Sequence, residues 1–171
     1  MTGRGFGNLK ALIVEDNAHM RSLLRALLNS IGIKDIAEAA HGGTAIELLR
    51  ERKSDLVLTD LAMKPMDGLE FTRQVRNSEQ SPNPFVPIIM ITGHTERYRV
   101  EAARDAGVTE FLAKPITAAA LFSRIAEIVE RPRAFVKCES YFGPDRRRRV
   151  IEDYTGPWRR ADDFKDEVDV R

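Results

Sequence analysis

The stretch Asp55-Leu56-Val57-Leu58-Thr59-Asp60 decides the fold. Its run of leucine and valine is typical of a strand buried on both faces, as in parallel sheets that are covered by helices. The strand ends in a carboxylate, Asp60, and a turn-like segment follows at residues 61–68. Open α/β sheets place ligands at the carboxyl ends of their strands, so Asp60 is a candidate functional residue. Because Asp is common in turns, a simple capping role for Asp60 is the alternative at this point.

Outward from this strand, apolar runs alternate with helical patterns across residues 9–130. Further strands are predicted at residues 9–14, 36–40, 87–92 and 109–113. Helices are predicted at residues 18–31, 44–52, 68–76, 96–106 and 118–130, where apolar residues share one helical face. Parallel neighbours need crossover helices, so the alternation predicts an α/β doubly wound, five-stranded parallel sheet.

Length and composition restrict the class of protein. A chain of 171 residues fits one domain with an appendage, or two very small domains. The net charge of +1 argues against nucleic-acid binding by the whole protein, and a single cysteine, Cys138, suits a reducing compartment. No apolar run approaches the roughly 20 residues that span a bilayer, and residues 1–8 lack the apolar core of a signal peptide. We therefore expect a cytoplasmic protein without a membrane span.

Polar residues follow the predicted strands at one edge of the sheet. Glu15 and Asp16 end the first strand, Asp60 the third, Thr92 the fourth and Lys114 the fifth. Clustered carboxylates need a cation, and their hard oxygens suit Mg²⁺. The lysine and the hydroxyl can hold a phosphate oxygen, and a carboxylate can act as a nucleophile that becomes an acyl phosphate. Simple solvation of strand ends is the alternative, but it does not explain why all five lie at the same edge.

A set of motifs at these strand ends carries a family resemblance. They are Glu15-Asp16, Asp60, Met66-Asp67-Gly68, Thr92-Gly93 and Phe111 ahead of Lys114-Pro115. The spacings are 44 residues from Asp16 to Asp60 and 22 from Thr92 to Lys114. On these residues, the segment 9–130 resembles the receiver domain of bacterial response regulators, which has the CheY-like fold.

The resemblance implies a flavodoxin-like sheet with strand order 2-1-3-4-5. It implies that Asp60 is the phosphoacceptor and that a histidine kinase or phosphotransferase supplies the phosphoryl group. The implied Mg²⁺ site comprises Asp16, Asp60, the carbonyl of Ala62 and, through water, Glu15. Thr92 and Lys114 would bind the phosphoryl group, Phe111 would be an aromatic rotamer switch, and the Lys114–Pro115 bond would be cis.

One position departs from the family pattern. Receivers commonly have proline four residues after the phosphoacceptor, whereas here Lys64 stands at that place and Pro65 follows it. A lysine beside the pocket could alter the loop or the readiness to accept phosphate. Because the acidic and phosphate-binding positions are intact, phosphorylation is still expected.

The composition changes after residue 130. Residues 131–171 hold 11 of the 27 Lys and Arg and 9 of the 26 Asp and Glu, which leaves residues 1–130 at 16 minus 17, or −1. The element Gly-Pro-x-Arg-Arg occurs at residues 143–147 and again at 156–160. Apolar residues lose their helical period, so we expect no DNA-binding or catalytic output domain and a tail that is disordered without ligand.

Three interpretations of this tail are open: a disordered appendage, a nonspecific patch for nucleic acid or anionic membrane, and a cyclic di-GMP site. Arginine forks suit phosphate and guanine edges, a tryptophan offers a stacking face, and Arg-x-x-Asp supplies a donor with an acceptor. The tail also resembles the arginine-rich extension of the Cle group of CheY-like proteins, which bind cyclic di-GMP and act at the flagellar motor. The candidate ligand-binding residues are Arg146, Arg147, Arg148, Arg149, Trp158, Arg159, Arg160, Asp162 and Asp163.

Two functions follow from these observations. The first is a non-enzymatic, single-domain response regulator that acts as a cyclic di-GMP effector, with the tail controlling how the receiver docks to a partner such as a flagellar motor switch protein. The alternative is a phosphorylation-driven receiver of a two-component phosphorelay, with a tail that is incidental or binds nucleic acid.

Overall fold

A computed structural model describes residues 6–93, 97–138, 140–146 and 167–168. Five strands form one parallel sheet: β1 (Lys10–Val14), β2 (Asp35–Ala39), β3 (Leu56–Asp60), β4 (Ile88–Thr92) and β5 (Glu110–Ala113). Their order is β2-β1-β3-β4-β5, which confirms the predicted flavodoxin-like topology. Because every strand runs in the same direction, all five carboxyl ends lie at one edge.

Helices connect these strands: α1 (Ala18–Ser30), α2 (Gly42–Glu51), α3 (Gly68–Asn77), α4 (Arg97–Ala106) and α5 (Ala118–Glu130). A short 3₁₀ helix, Phe6–Asn8, precedes β1. Polar side chains fix where the helices begin, since Asn17 accepts hydrogen bonds from the first amides of α1 and Asp67 accepts one from the Glu70 amide of α3. The observed bounds agree with the predicted ones to within two residues.

Alternate residues of β1 and β3 face two separate cores. Ile13 and Leu58 pack towards α1 and α5, whereas Leu12 and Val57 pack towards α2 and α3. This period of two explains why the strands read as continuous apolar runs, because both faces of the sheet are covered. In the part of the chain that the structure describes, no helix is long and apolar enough to cross a membrane.

The beginning of the tail forms an antiparallel hairpin of two strands, β6 (Phe135–Cys138) and β7 (Tyr141–Pro144), and β8 (Glu167–Val168) pairs with β6. The hairpin differs from the expectation of a tail that is disordered without ligand. Its aromatic side chains find partners on the receiver: the Phe85 ring lies 5.4 Å from the Phe135 ring and 5.3 Å from the Phe142 ring, both edge-on. Such contacts stabilise beyond simple area burial.

A close backbone approach fixes the hairpin against the segment between α4 and β5. Gly107 has φ +97°, and a Cβ there would lie 2.8 Å from the carbonyl oxygen of Phe142. Arg76 of α3 is 2% exposed, donates to the carbonyls of Gly107 (3.0 Å) and Pro84 (2.7 Å), and lies 5.1 Å from the centre of the Phe135 ring. The hairpin is therefore packed as part of the receiver.

We expect Phe142→Ala to lower the free energy of unfolding of the receiver by about 3 kcal/mol, because it leaves a cavity between Phe85 and Phe135. Urea denaturation followed by circular dichroism measures this loss. Tyr98→Ala on exposed α4 is the control and should change the value by less than about 0.5 kcal/mol. A hairpin that folds apart from the receiver would leave the helical transition of Phe142→Ala at the wild-type midpoint.

Candidate functional site: a strand-edge carboxylate and lysine pair

Asp60 is the last residue of β3 and is 4% exposed. Its Oδ2 accepts a hydrogen bond from the Ala62 amide at 2.9 Å, and its Oδ1 lies 2.7 Å from the Lys114 Nζ. The lysine contact is short enough to be a charge-assisted hydrogen bond, which makes it the strongest polar contact of the site. Both oxygens of the predicted phosphoacceptor are therefore held in place.

Lys114 directly follows β5, and its backbone amide donates to the Thr92 carbonyl at 2.9 Å. This hydrogen bond extends the pairing of β4 with β5 by one residue. It holds the backbone of Lys114 at the strand ends, where its Nζ reaches Asp60. The Lys114–Pro115 peptide is cis, in agreement with the family resemblance, and the Lys64–Pro65 peptide is cis as well. The Lys64–Pro65 bond lies in the loop that departs from the family pattern, and its cis geometry was not predicted from the sequence.

Glu15 lies beside this pair and is 2% exposed. Its Oε1 accepts from the Asn17 amide at 3.1 Å, whereas its Oε2 is buried without a hydrogen-bond partner and lies 3.9 Å from the Lys114 Nζ. Burial, together with the nearby Asp60 carboxylate, raises the pKa of Glu15 to about 6, although the Asn17 amide and Lys114 act in the opposite direction. The protonated form is stabilised because a second buried negative charge is costly here.

The predicted ligands, Asp16, Asp60, Ala62 and Glu15, are only in part arranged to hold a divalent cation in this structure. Across residues 6–93, 97–138 and 140–146, no three acidic, histidine or cysteine side chains are arranged to hold a metal ion together. The side chain of Asp16 is exposed. Ala62 contacts Asp60 through its backbone amide, whereas the predicted metal ligand is its carbonyl oxygen. The Glu15 Oε2, which is buried and accepts no hydrogen bond, is nevertheless the kind of hard oxygen that Mg²⁺ takes. Asp16 and the Ala62 carbonyl stay predicted ligands.

Thr92 and Phe111 occupy neighbouring strands. Thr92 ends β4, one residue beyond Ile91, which pairs with Asp60 in the sheet, and is 5% exposed. Phe111 is the second residue of β5 and is partly buried against a cluster of Leu61, Met90, Ala103 and Val108. The fold thus brings Thr92 to the edge that carries Asp60 and Lys114, and it places the ring of Phe111 between β5 and α4.

Arg146, the one predicted tail residue that the structure describes, is not at this edge. Arg146 pairs with Asp105 at the end of α4 (3.3 Å), and its guanidinium lies 3.9 Å from the centre of the Tyr141 ring. This contact is next to Gly107, before β5 begins, and so lies opposite the edge of Asp60. The other predicted ligand-binding residues lie outside the described residues: Arg147, Arg148, Arg149, Trp158, Arg159, Arg160, Asp162 and Asp163.

Arg76 and Arg133 were missed by reasoning from the sequence. Arg76 ends an amphipathic helix, where a basic residue is ordinary, and Arg133 stands in a segment expected to be disordered. The available signal was the pair of apolar doublets, Phe135-Val136 and Tyr141-Phe142, separated by polar residues as in a hairpin.

In buffer without divalent cations, Glu15→Gln should raise the free energy of unfolding by about 1–2 kcal/mol at pH 7.5. The pKa of Glu15 is raised from 4.5 to about 6 in the folded protein, so the penalty of its charge is absent below the unfolded pKa and complete above the folded pKa. Urea denaturation at pH 4 and 7.5 measures the difference, and exposed Glu47→Gln is the control. An equal gain at both pH values would contradict the burial of a costly charge.

Comparison with known proteins identifies the family. The model of the response regulator receiver domain matches residues 11–126. Chemotaxis protein CheY-3 of Vibrio cholerae is 36% identical over 124 residues, which covers 72% of this chain and 94% of that protein. Chemotaxis protein CheY of Pseudomonas aeruginosa is 36% identical over 123 residues, which covers 72% of this chain and 98% of that protein.

Solved structures agree with this result. Chemotaxis protein CheY4 of Vibrio cholerae superposes with a TM-score of 0.65 at 28% identity, over 70% of this chain and 98% of that one. The receiver domain of the sensor histidine kinase PA1611 of Pseudomonas aeruginosa, which has a magnesium ion coordinated in its active-site cleft, gives 0.60 at 29% identity, over 70% of this chain and 94% of that one. With its 2-1-3-4-5 sheet and its Asp60–Lys114 pair, the chain belongs to the family of response regulator receiver domains.

Proposed function

We propose that the protein is a response regulator that accepts a phosphoryl group on Asp60 and acts as a cyclic di-GMP effector through its arginine-rich tail. The observation that carries the first part is the 2.7 Å contact between the Lys114 Nζ and the Asp60 Oδ1 at a buried strand end. The carboxylate so placed lies at the end of its strand, beside a lysine that can hold a phosphoryl oxygen.

In the proposed reaction, a carboxylate oxygen of Asp60 attacks the phosphorus of a phosphohistidine or of a small phosphodonor. A new oxygen–phosphorus bond forms, and the bond from phosphorus to the leaving atom breaks, with the electron pair going to the leaving group. Lys114 then moves from the carboxylate to an oxygen of the phosphoryl group, and the Thr92 hydroxyl donates to another. The donor is a histidine kinase or a phosphotransferase.

The proposed metal ligands are Asp16, Asp60 and the Ala62 carbonyl, with Glu15 nearby through water. The buried Oε2 of Glu15, which accepts no hydrogen bond, supports a cation at this place. Bound Mg²⁺ would supply positive charge that offsets both the carboxylates and the phosphoryl oxygens. The magnesium ion in the receiver domain of PA1611 supports the same assignment.

Incubation with acetyl phosphate and Mg²⁺ should add one phosphoryl group to the wild-type protein, and Asp60→Asn should add none. Intact-mass spectrometry measures the addition. The matched control is Asp55→Asn, which changes the same atoms at the opposite end of the same buried segment, where Asp55 accepts from the Lys10 amide. Phosphorylation of Asp60→Asn at the wild-type level would refute the assignment.

The cyclic di-GMP proposal rests on the residue types of the tail. Six arginines, one tryptophan and two Arg-x-x-Asp pairs between residues 146 and 163 offer forks for two phosphates, a stacking face, and acceptors for guanine N–H groups. Arg146 supports a folded arrangement, since Tyr141 and Asp105 already hold its guanidinium at the end of the hairpin. A ligand that gathers the other arginines would begin from this fixed point.

Docking to a partner is the proposed output. The similarity to chemotaxis proteins supports a partner such as a flagellar motor switch protein, which would recognise a surface made by the receiver and the ligand-bound tail together. A receiver driven by phosphorylation alone, with a tail that is incidental or binds nucleic acid, is the competing function, and the measurements below separate the two.

We expect cyclic di-GMP to bind the full-length protein, and Arg159→Ala with Arg160→Ala to weaken binding by about one hundred-fold. Each lost charge-assisted contact is worth roughly 1.5–3 kcal/mol before ordering costs, and 1.4 kcal/mol is tenfold. Isothermal titration calorimetry measures the affinity. The control is Arg97→Ala with Arg131→Ala, which removes two exposed arginines that each pair with a glutamate four residues away.

Specificity decides between the interpretations of the tail. Cyclic di-AMP and a random oligonucleotide should bind more weakly than cyclic di-GMP at physiological salt. Cyclic di-AMP has no guanine edge, and an oligonucleotide does not hold two guanines and two phosphates in one closed ring. Equal affinity for all three, with a steep decrease in salt, would instead indicate a nonspecific polyanion site.

A further inference from the structure

Arg133 joins the hairpin to the beginning of β5. Its Nη2 donates to the Thr109 carbonyl, its Nη1 donates to the Asp145 carbonyl at 3.1 Å, and the Nη2 lies 3.7 Å from the Glu110 Oε1. Asp145 is itself held to the other strand end, since its amide donates to the Ala134 carbonyl at 2.7 Å. One guanidinium therefore ties the end of β7 to the first residue of β5.

Glu110 is an unusual residue at the beginning of an edge strand, because it is acidic and only 3% exposed. Arg124 of α5 approaches its Oε2 at 3.5 Å, while Arg133 approaches the Oε1. A buried carboxylate must be paired, and removal of one partner leaves a charge that is only partly compensated. Two cations from two different elements thus fix the position of Glu110.

The other end of β5 carries the proposed phosphoryl-binding lysine. β5 is an edge strand of the parallel sheet, so that sheet holds it through β4 on one side only, with Glu110 beside Ile89 and Ala113 beside Thr92. Lys114 lies four residues after Glu110, about 13 Å along the strand. Any displacement of β5 along β4 changes the distance from the Lys114 Nζ to Asp60.

We propose that Arg133 is a positioning residue for phosphoryl transfer to Asp60, acting through Glu110 and β5 on Lys114. The proposal rests on the proposed phosphorylation of Asp60 and assigns to the hairpin a role in that chemistry. The contact of Arg133 with the backbone of Thr109 and the side chain of Glu110 holds the beginning of β5 from the hairpin side, in addition to the hydrogen bonds of Thr109 with Ile88 of β4. Small misplacements of a charged group at a reacting centre reduce rates strongly.

The test compares Arg133→Ala with Arg131→Ala in the full-length protein. The two substitutions remove the same charge two residues apart, but Arg131 is exposed and its Nη1 lies 3.7 Å from the Glu127 Oε2. We expect Arg133→Ala to lower the rate of acetyl phosphate-driven phosphorylation at saturating donor by about tenfold and Arg131→Ala to leave it unchanged. Glu110→Gln combined with Arg133→Ala should be no slower than Arg133→Ala alone, since both act through one contact.

A second measurement separates positioning from simple stabilisation. Amide hydrogen exchange at Lys114, whose amide donates to Thr92, should become faster in Arg133→Ala and not in Arg131→Ala, and the increase should exceed that at the Glu15 amide, which donates to Ala39 at the other side of the sheet. A wild-type rate of phosphorylation, or unchanged exchange at Lys114, would overturn the proposal even if Arg133→Ala melts earlier. If the wild-type protein accepts no phosphate, the proposed function fails, and the exchange at Lys114 still decides whether Arg133 positions this lysine.

Discussion

Parallel pairing of the five strands is the constraint on which the site depends. It places the ends of β1, β3, β4 and β5 at one edge, so residues far apart in sequence meet without any loop having to fold over them. The 2.7 Å contact of Lys114 with Asp60 is the direct result. The same geometry buries Glu15, because the strand that ends before it is covered by helices on both faces, and burial raises its pKa.

The fold and the pocket could be predicted because their signals are local. A run such as residues 55–60 is apolar on both faces, and the functional residues stand directly after such runs. The hairpin could not be predicted in this way, because its two strands have four residues each and gain their stability from distant partners. Phe85 contacts Phe135, and Gly107 lies against the backbone of Phe142. No sequence pattern around Phe85 or Gly107 predicts that another segment covers them.

Arg76 indicates that the receiver is built with its hairpin in place. Its guanidinium is buried without an anionic partner in the ion pairs of the described residues, and burial lowers its pKa to about 9. A buried charge is costly unless hydrogen bonds and polarisable groups surround it, and here two carbonyls and the face of Phe135 take that role. Since Phe135 belongs to the hairpin, the hairpin completes the surroundings of a buried arginine of α3.

The hairpin also relates the two proposed activities in space. Arg146, the first arginine of the tail cluster, follows Asp145 directly, and Arg133 holds the Asp145 carbonyl and β5 together. Ligand bound at the arginines would act on the chain one residue from this contact, whereas a phosphoryl group would act on Lys114 at the far end of the same strand. Coupling between two binding sites is reciprocal. If both events displace β5, ligand binding would alter the affinity for the phosphoryl group, and phosphorylation would alter the affinity for the ligand. The short, one-sided β5 is the element on which both proposed events converge.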